Sequence, residues 1–182
     1  MADSFQYEII FGGQGGQGVR LASALLGRAC ASIGRQVASS ASYGPEVRGS
    51  HTRSEVIVSD AFIIYPRVLT PNILVAMSQE AYQRAWAEVA ADGWILYEAE
   101  AVTPATAAVA NHAPVPALRL ATEAGDAGSA NMVMLGAVAA LAGLVDLPAL
   151  IAILPEARRA QNEAALRQGF AVGERLHAGA PA

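Results

Sequence analysis

Lysine is missing from this 182-residue chain, and all twelve of its basic residues are arginines. The absence excludes a Walker A phosphate loop, which needs a lysine beside the phosphates, and a catalytic lysine Schiff base. Cysteine is almost as scarce, because Cys30 stands alone. One cysteine forms no disulfide within the chain and cannot supply a four-cysteine iron–sulfur or zinc site. Any such cluster must therefore belong to a partner.

Several signals of location and chemistry are also absent. No basic region precedes an apolar core at the N-terminus, so no signal peptide is predicted and a cytoplasmic location is expected. The uncharged run at residues 128–145 contains polar residues and is marginal for a membrane span, so a buried core helix is predicted there instead. A net charge of −4 argues against nucleic acid binding. The three histidines are too far apart in sequence to suggest a metal site.

Apolar residues, in contrast, are abundant and make up 53% of the chain. This composition favours a subunit that buries part of its surface against partners. Residues 1–182 are predicted to form one α/β domain with a loose tail at 178–182. Strands are predicted at residues 7–11, 37–40, 53–59, 72–77 and 93–98, and helices at 19–35, 79–90, 131–144, 147–154 and 162–176. Residues 61–65 are expected to continue or pair with the third strand, and no element is assigned to residues 102–116. This alternation predicts three layers, a mostly parallel sheet with helices on both faces.

The glycine loop at residues 12–18 (Gly-Gly-Gln-Gly-Gly-Gln-Gly) follows the first predicted strand and opens the first helix. Its last six residues satisfy G-x-G-x-x-G in the expected context. Glycines allow positive φ and close backbone approach, and the helix N-terminus offers N–H groups to an anion such as a pyrophosphate. The candidate cofactor contacts are Gly13, Gln14, Gly15, Gly16, Gln17 and Gly18. The alternative is a tight turn needed only for packing.

The identity of the anion is constrained by the residues of the second predicted strand. A dinucleotide fold usually places an acidic residue at the end of that strand, where it holds the ribose. Residues 37–42 contain no acid, so NAD is disfavoured, although a stand-alone NAD(P)-binding dehydrogenase stays open as an alternative. The acidic pair Glu98 and Glu100 is expected in a solvated loop, and Cys30 is expected to be a small buried hydrophobe.

A second candidate loop, residues 42–51, combines an aromatic side chain with opposite charges and turn residues. Arg48 could grip a phosphate or carboxylate, with Tyr43 beside it. The alternative is a surface ion pair between Arg48 and Glu46. His51, which ends this loop, is the one histidine for which a functional role is entertained.

Four stretches of the chain resemble the gamma subunit of the 2-oxoacid:acceptor (ferredoxin) oxidoreductases. They are residues 12–19 (Gly-Gly-Gln-Gly-Gly-Gln-Gly-Val), 43–49 (Tyr-Gly-Pro-Glu-Val-Arg-Gly), 72–78 (Asn-Ile-Leu-Val-Ala-Met-Ser) and 131–136 (Asn-Met-Val-Met-Leu-Gly). They occur in the family's order and span nearly the whole chain. One position departs from the pattern, because Ser50 stands where the family usually has glycine.

The resemblance implies a non-catalytic subunit that contacts coenzyme A. In such enzymes catalytic alpha and beta partner subunits use thiamine diphosphate and magnesium to decarboxylate a 2-oxoacid. A ferredoxin-like subunit carries iron–sulfur clusters that pass electrons to an acceptor such as ferredoxin, and coenzyme A receives the acyl group. The glycine loop, with Tyr43 and Arg48, is implied to hold the coenzyme A phosphates. A purely structural scaffold subunit is the further alternative.

Overall fold

This computed structural model describes residues 5–43, 51–105 and 110–179. The strands in these ranges are β1 (Gln6–Gln14), β2 (Gln36–Tyr43), β3 (His51–Ser59), β4 (Ile73–Ala76), β5 (Trp94–Glu98) and β6 (Asn111–Val115). The α-helices are α1 (Val19–Ser32), α2 (Gln79–Ala85), α3 (Ala117–Glu123), α4 (Ala130–Leu141), α5 (Leu147–Ala152) and α6 (Arg159–Gly179). Two 3-10 turns, Trp86–Glu88 and Ala127–Ser129, follow α2 and precede α4.

The strands form one mixed sheet in the order β2-β3-β1-β4-β5-β6. Parallel pairing joins β1 to β4, β4 to β5 and β5 to β6, whereas β3 is antiparallel to both of its neighbours, β1 and β2. Among the described strands, only β3 therefore runs against the rest. The mostly parallel α/β sheet predicted from the sequence is confirmed.

Helices cover both faces of the sheet, but unequally. Successive side chains of a strand point to opposite faces. On the first face, Ile9 and Phe11 pack in one large core with α1, α4 and the helices beyond them. On the second face, Ile10 packs in a smaller core with Tyr82 of α2. The three predicted layers are present, with most of the helical mass on the first face.

Helices α4 and α6 form the densest part of the first face. Every residue of α4 is buried, as the apolar run predicted, although the helix ends at Leu141 rather than residue 144. The long helix α6 packs directly along it. Gly136, Gly169 and Gly173 lie where the two backbones meet, and an added Cβ at Gly169 would overlap the Val133 carbonyl oxygen. Glycine is required there because no side chain fits between the helices.

The observed elements differ from the sequence predictions at several places. Strand β1 extends past residue 11 to Gln14 because its backbone continues to pair with β3 as far as His51. Residues 61–65 form no strand, since β1 and β2 already occupy both edges of β3. The unassigned stretch 102–116 supplies β6. Helix α6 continues to Gly179, and residues 180–182 of the predicted loose tail lie outside the described residues. Within the described ranges, no helix is long and apolar enough to span a membrane.

Candidate functional site

The glycine loop lies at the point where the connections of the sheet change face. Helix α1 follows β1 over the first face, whereas α2 follows the neighbouring strand β4 over the second face. The carboxyl ends of β1 and β4 therefore border a crevice that neither helix fills. Open α/β sheets bind their ligands in such crevices.

The loop between β1 and α1 is a tight turn that two glycines make possible. The Gln17 N–H donates to the Gln14 carbonyl at 3.1 Å, which closes a four-residue turn. Gly16 occupies its third position with a φ of 99°, as type II turns require. Gly18, with a φ of 71°, is the N-cap of α1. Residues other than glycine rarely adopt the backbone conformations of Gly16 and Gly18.

The first turn of α1 is open to an anion. Its N-cap makes no side-chain hydrogen bond and no acidic residue lies in the turn. The first intrahelical bond runs from the Ala22 N–H to the Gly18 carbonyl, so the preceding N–H groups are not used by the helix. A Cβ added at Gly16 would have nothing within 4 Å, so the loop has open space in front of it. The positive end of the helix dipole and the open glycine turn in front of it together suit a phosphate.

Two side-chain amides attach this loop to the rest of the fold. Gln17 accepts from the Gln14 N–H at 2.7 Å through Oε1 and donates to the Met77 carbonyl at 3.0 Å through Nε2. Asn131, at the start of α4, donates to the Gly18 carbonyl at 3.1 Å. The fold thus brings together residues 12–19, 72–78 and 131–136, three of the four stretches singled out in the sequence. Neither contact could be predicted from the sequence, because the partners lie 60 and 113 positions apart.

A cavity of about 220 Å³ opens beside the loop, at the carboxyl ends of β4 and β5. It is lined by Gly16, Gln17, Met77, Glu98, Ala101, Leu118, Ala127, Gly128 and Ala130. Glu98 is only 5% exposed, so the expectation of a solvated acidic pair was wrong for this residue. Its carboxylate accepts three backbone N–H bonds, from Glu100, Ala101 and Leu118, which order the turn after β5 and the start of α3.

His51 lies close to the glycine loop across the sheet. It begins β3 and pairs with Gln14 of β1. Burial lowers the pKa of its imidazole, and the positive charge of Arg84 adds to the effect, while Glu80 opposes it. Its Nδ1 is buried and has no hydrogen-bond partner in the described part of the chain. Burial and the nearby Arg84 charge therefore both disfavour the protonated form of this imidazole.

The second predicted loop of the site, residues 42–51, lies only partly within the described residues. Tyr43 ends β2, where its backbone pairs with Thr52 at the same edge of the sheet as the glycine loop. Arg48 and Ser50 lie outside the described residues. Cys30, in contrast, is fully buried on the inner face of α1, and burial raises the pKa of its thiol to about 11 against the smaller opposing effect of Arg35. The sequence expectation of a buried hydrophobe is confirmed.

The chain is similar to known proteins over most of its length. A family model described as "Pyruvate ferredoxin/flavodoxin oxidoreductase" matches residues 8–172. The chain is 34% identical over 177 residues to 2-oxoglutarate synthase subunit KorC of Methanocaldococcus jannaschii, covering 93% of this chain and 95% of that one.

Two solved structures are similar as well. The gamma subunit of keto/oxoacid ferredoxin oxidoreductase from Geobacter sulfurreducens superposes with a TM-score of 0.80 at 33% identity, over 93% of this chain and 99% of that one. A 2-oxoglutarate:ferredoxin oxidoreductase from Magnetococcus marinus, with 2-oxoglutarate, coenzyme A and succinyl-CoA bound, superposes with a TM-score of 0.85. The match spans 94% of this chain and 31% of the Magnetococcus marinus chain. Because the two sequences are only 23% identical, the likeness shows the fold alone.

Proposed function

This chain belongs to the pyruvate ferredoxin/flavodoxin oxidoreductase family, and from that premise we propose that it is a non-catalytic gamma subunit that contacts coenzyme A. It acts within a complex that oxidatively decarboxylates a 2-oxoacid to its acyl-CoA. The observation that carries the proposal is the uncapped first turn of α1 behind an open glycine turn. A coenzyme A diphosphate fits such a surface because it is anionic and small enough to approach the backbone.

The candidate contact residues of the loop fall into an exposed group and a buried one. Gln14, Gly15 and Gly16 are exposed and can reach a phosphate, while Gly18 sets the first turn of α1. Gly13 is buried, and a Cβ there would meet both Gln17 Oε1 and Val19 Cγ2 at 2.7 Å. Gly13 is therefore needed so that the Gln17 and Val19 side chains can pack against the strand. Tyr43 and Arg48 are proposed to add the second side of the phosphate site.

The remaining cofactors are assigned to partner subunits. Within the described ranges, no group of three histidine, cysteine or acidic side chains could hold a metal ion. Cys30 is a poor iron ligand, because its thiol is buried and has a raised pKa. Thiamine diphosphate and magnesium are proposed to bind the catalytic alpha and beta subunits, and iron–sulfur clusters a ferredoxin-like subunit that delivers electrons to ferredoxin. The relatives' names include 2-oxoglutarate and ketoisovalerate enzymes, and the 2-oxoacid pocket is proposed to lie on those partners.

An apolar segment supports assembly with such partners. Between β3 and β4, Phe62 is 82% exposed and Ile64 is 90% exposed. The segment is nevertheless held on the sheet, since the Glu8 carboxylate accepts the N–H groups of Leu69 and Thr70. A well-anchored segment with apolar side chains turned outward is typical of a subunit contact.

The test of coenzyme A binding uses a matched pair, Gly16→Asp and Gly16→Asn, in the complex purified with its own partner subunits. Both substitutions have room, the two side chains have nearly the same shape, and both residues occur at positive φ more often than most, so charge is the main difference between them. A carboxylate about 6 Å from a phosphate costs on the order of 1.4 kcal/mol at an intermediate effective dielectric, or about tenfold in affinity. We expect the KM for coenzyme A to be about tenfold higher in Gly16→Asp than in Gly16→Asn.

The controls separate this role from the alternatives. The KM for the 2-oxoacid should be the same in both variants, and the isolated chain should show no turnover. Equal KM values for coenzyme A in the pair would refute coenzyme A contact at the loop and favour a scaffold subunit. Tight NAD(P) binding by the isolated chain, measured by calorimetry, would favour the dehydrogenase alternative.

A further inference from the structure

We propose that Gln17 is a positioning residue that holds the glycine turn in its ligand-ready shape, rather than a residue that contacts the ligand. The inference rests on the proposed function, because the ligand in question is the anion bound at the turn. It concerns a residue that the sequence pattern alone places among the candidate contacts. Three observations support it.

First, the amide of Gln17 joins the two strands that border the crevice. Its oxygen accepts from the Gln14 N–H at the end of β1, and its nitrogen donates to the Met77 carbonyl just after β4. The orientation of the amide is determined by these partners, since an N–H can only donate and a carbonyl can only accept. The side chain therefore links the carboxyl ends of β1 and β4, at the point where the connections of the sheet change face. We call this pair of hydrogen bonds the Gln17 brace.

Second, the brace closes the turn from within. The Gln17 backbone N–H donates to the same residue, Gln14, whose N–H its side chain receives. Backbone and side chain thus bond Gln14 reciprocally, and the conformation of Gly15 and Gly16 between them is confined. The exposed N–H groups of the turn are presented in one arrangement before the ligand arrives.

Third, the Gln17 side chain packs directly against the backbone of β1 at Gly13. A Cβ at Gly13 would meet Gln17 Oε1 at 2.7 Å, so the strand needs glycine where the amide packs against it. The amide oxygen and one Nε2 hydrogen are engaged with backbone groups, so these protein contacts fix the position of the side chain beside the exposed turn. Loss of the brace lowers the fraction of molecules in the competent conformation and weakens binding by that fraction.

The test uses Gln17→Met, which keeps the length of the side chain without its hydrogen bonds, and Gln17→Asn, which keeps an amide too short to span both partners. Each is measured in the assembled complex with coenzyme A as the varied substrate. We expect the KM for coenzyme A to rise about tenfold, the effect of losing two hydrogen bonds that hold the turn. The kcat at saturation and the KM for the 2-oxoacid should stay unchanged.

A structural control comes from Ser54→Ala. The buried Ser54 hydroxyl bonds Ser23 at 2.7 Å, on the first face of the sheet beneath α1. Its loss should lower stability without changing the KM for coenzyme A. If Ser54→Ala raises that KM as the Gln17 variants do, Gln17 is merely structural and the proposal is overturned.

The outcomes distinguish this inference from the function on which it rests. An unchanged KM in both Gln17 variants, with a clear difference between Gly16→Asp and Gly16→Asn, overturns positioning and leaves coenzyme A binding intact. No difference within the Gly16 pair defeats the function itself. If Gln17→Met fails to assemble, Gln17→Asn decides, and failure of both to assemble assigns Gln17 to folding and overturns the proposal.

Discussion

The contact between α4 and α6 offers a sharp test of the packing, through the substitution Gly169→Ala. A methyl group at this position would overlap the carbonyl oxygen of Val133 and approach its backbone atoms within 3 Å. Both sides of the contact are helix backbone, so no flexible side chain can move aside. The helices must separate, and α4 is buried along its whole length against the sheet.

The expected loss of stability follows from two opposing effects. Alanine favours a helix over glycine by about 1 kcal/mol. Overpacking against rigid backbone costs about 3–4 kcal/mol, at or above the upper end of the usual range. The net destabilisation is about 2–3 kcal/mol, which for a domain of this size lowers the Tm by about 5–10 °C.

The assay is thermal and urea unfolding of the full chain, followed by circular dichroism. Gly179→Ala is the matched control, because it lies at the end of the same helix and its Cβ would have nothing within 4 Å. That control should be as stable as the original chain or slightly more stable. If Gly169→Ala is also as stable, the close approach of α4 and α6 is incorrect.

Two further predictions concern titratable groups. Cys30 should resist iodoacetamide at about pH 8 in the folded chain and react after unfolding, because its raised pKa keeps the thiol protonated; rapid labelling of the folded chain would contradict its burial. His51 has a lowered pKa in the fold, so the unfolded chain takes up a proton first as the pH falls through the ordinary value of 6.5. The chain should therefore lose stability as the pH falls from about 7.5 through 6.5, and urea titrations should show a smaller loss for His51→Asn; identical losses would refute the lowered pKa.

Local patterns predicted most of the fold because they report local causes. The apolar run of α4 has no polar side to expose, and the glycines after β1 mark a turn at positive φ. The strand β6 was missed because its short segment, Asn-His-Ala-Pro-Val, carries little apolar periodicity. Its place at the edge of the sheet comes from pairing with β5, a contact between distant segments.

The candidate site shows the same division. Glu98 was expected in solvent since charged residues are rarely buried, yet three backbone N–H groups from the turn and helix after β5 make burial possible. The partners of Gln17 and Asn131 could not be found from spacing, because a hydrogen bond over 60 or 113 positions depends on how the strands are ordered. Sequence patterns located the loop but not the contacts that hold it.

The sequence by itself determined the glycine turn, the buried helix and the exclusion of lysine and multi-cysteine chemistry, because composition and short-range sterics are properties of the chain alone. Only the tertiary structure decided that β1 and β4 are neighbours and that their helices leave on opposite faces. That arrangement creates the crevice, positions Met77 and Asn131 around the loop and forces glycine at the α4–α6 contact. Such features arise from long-range packing, in which each residue is selected by neighbours that the linear order does not reveal.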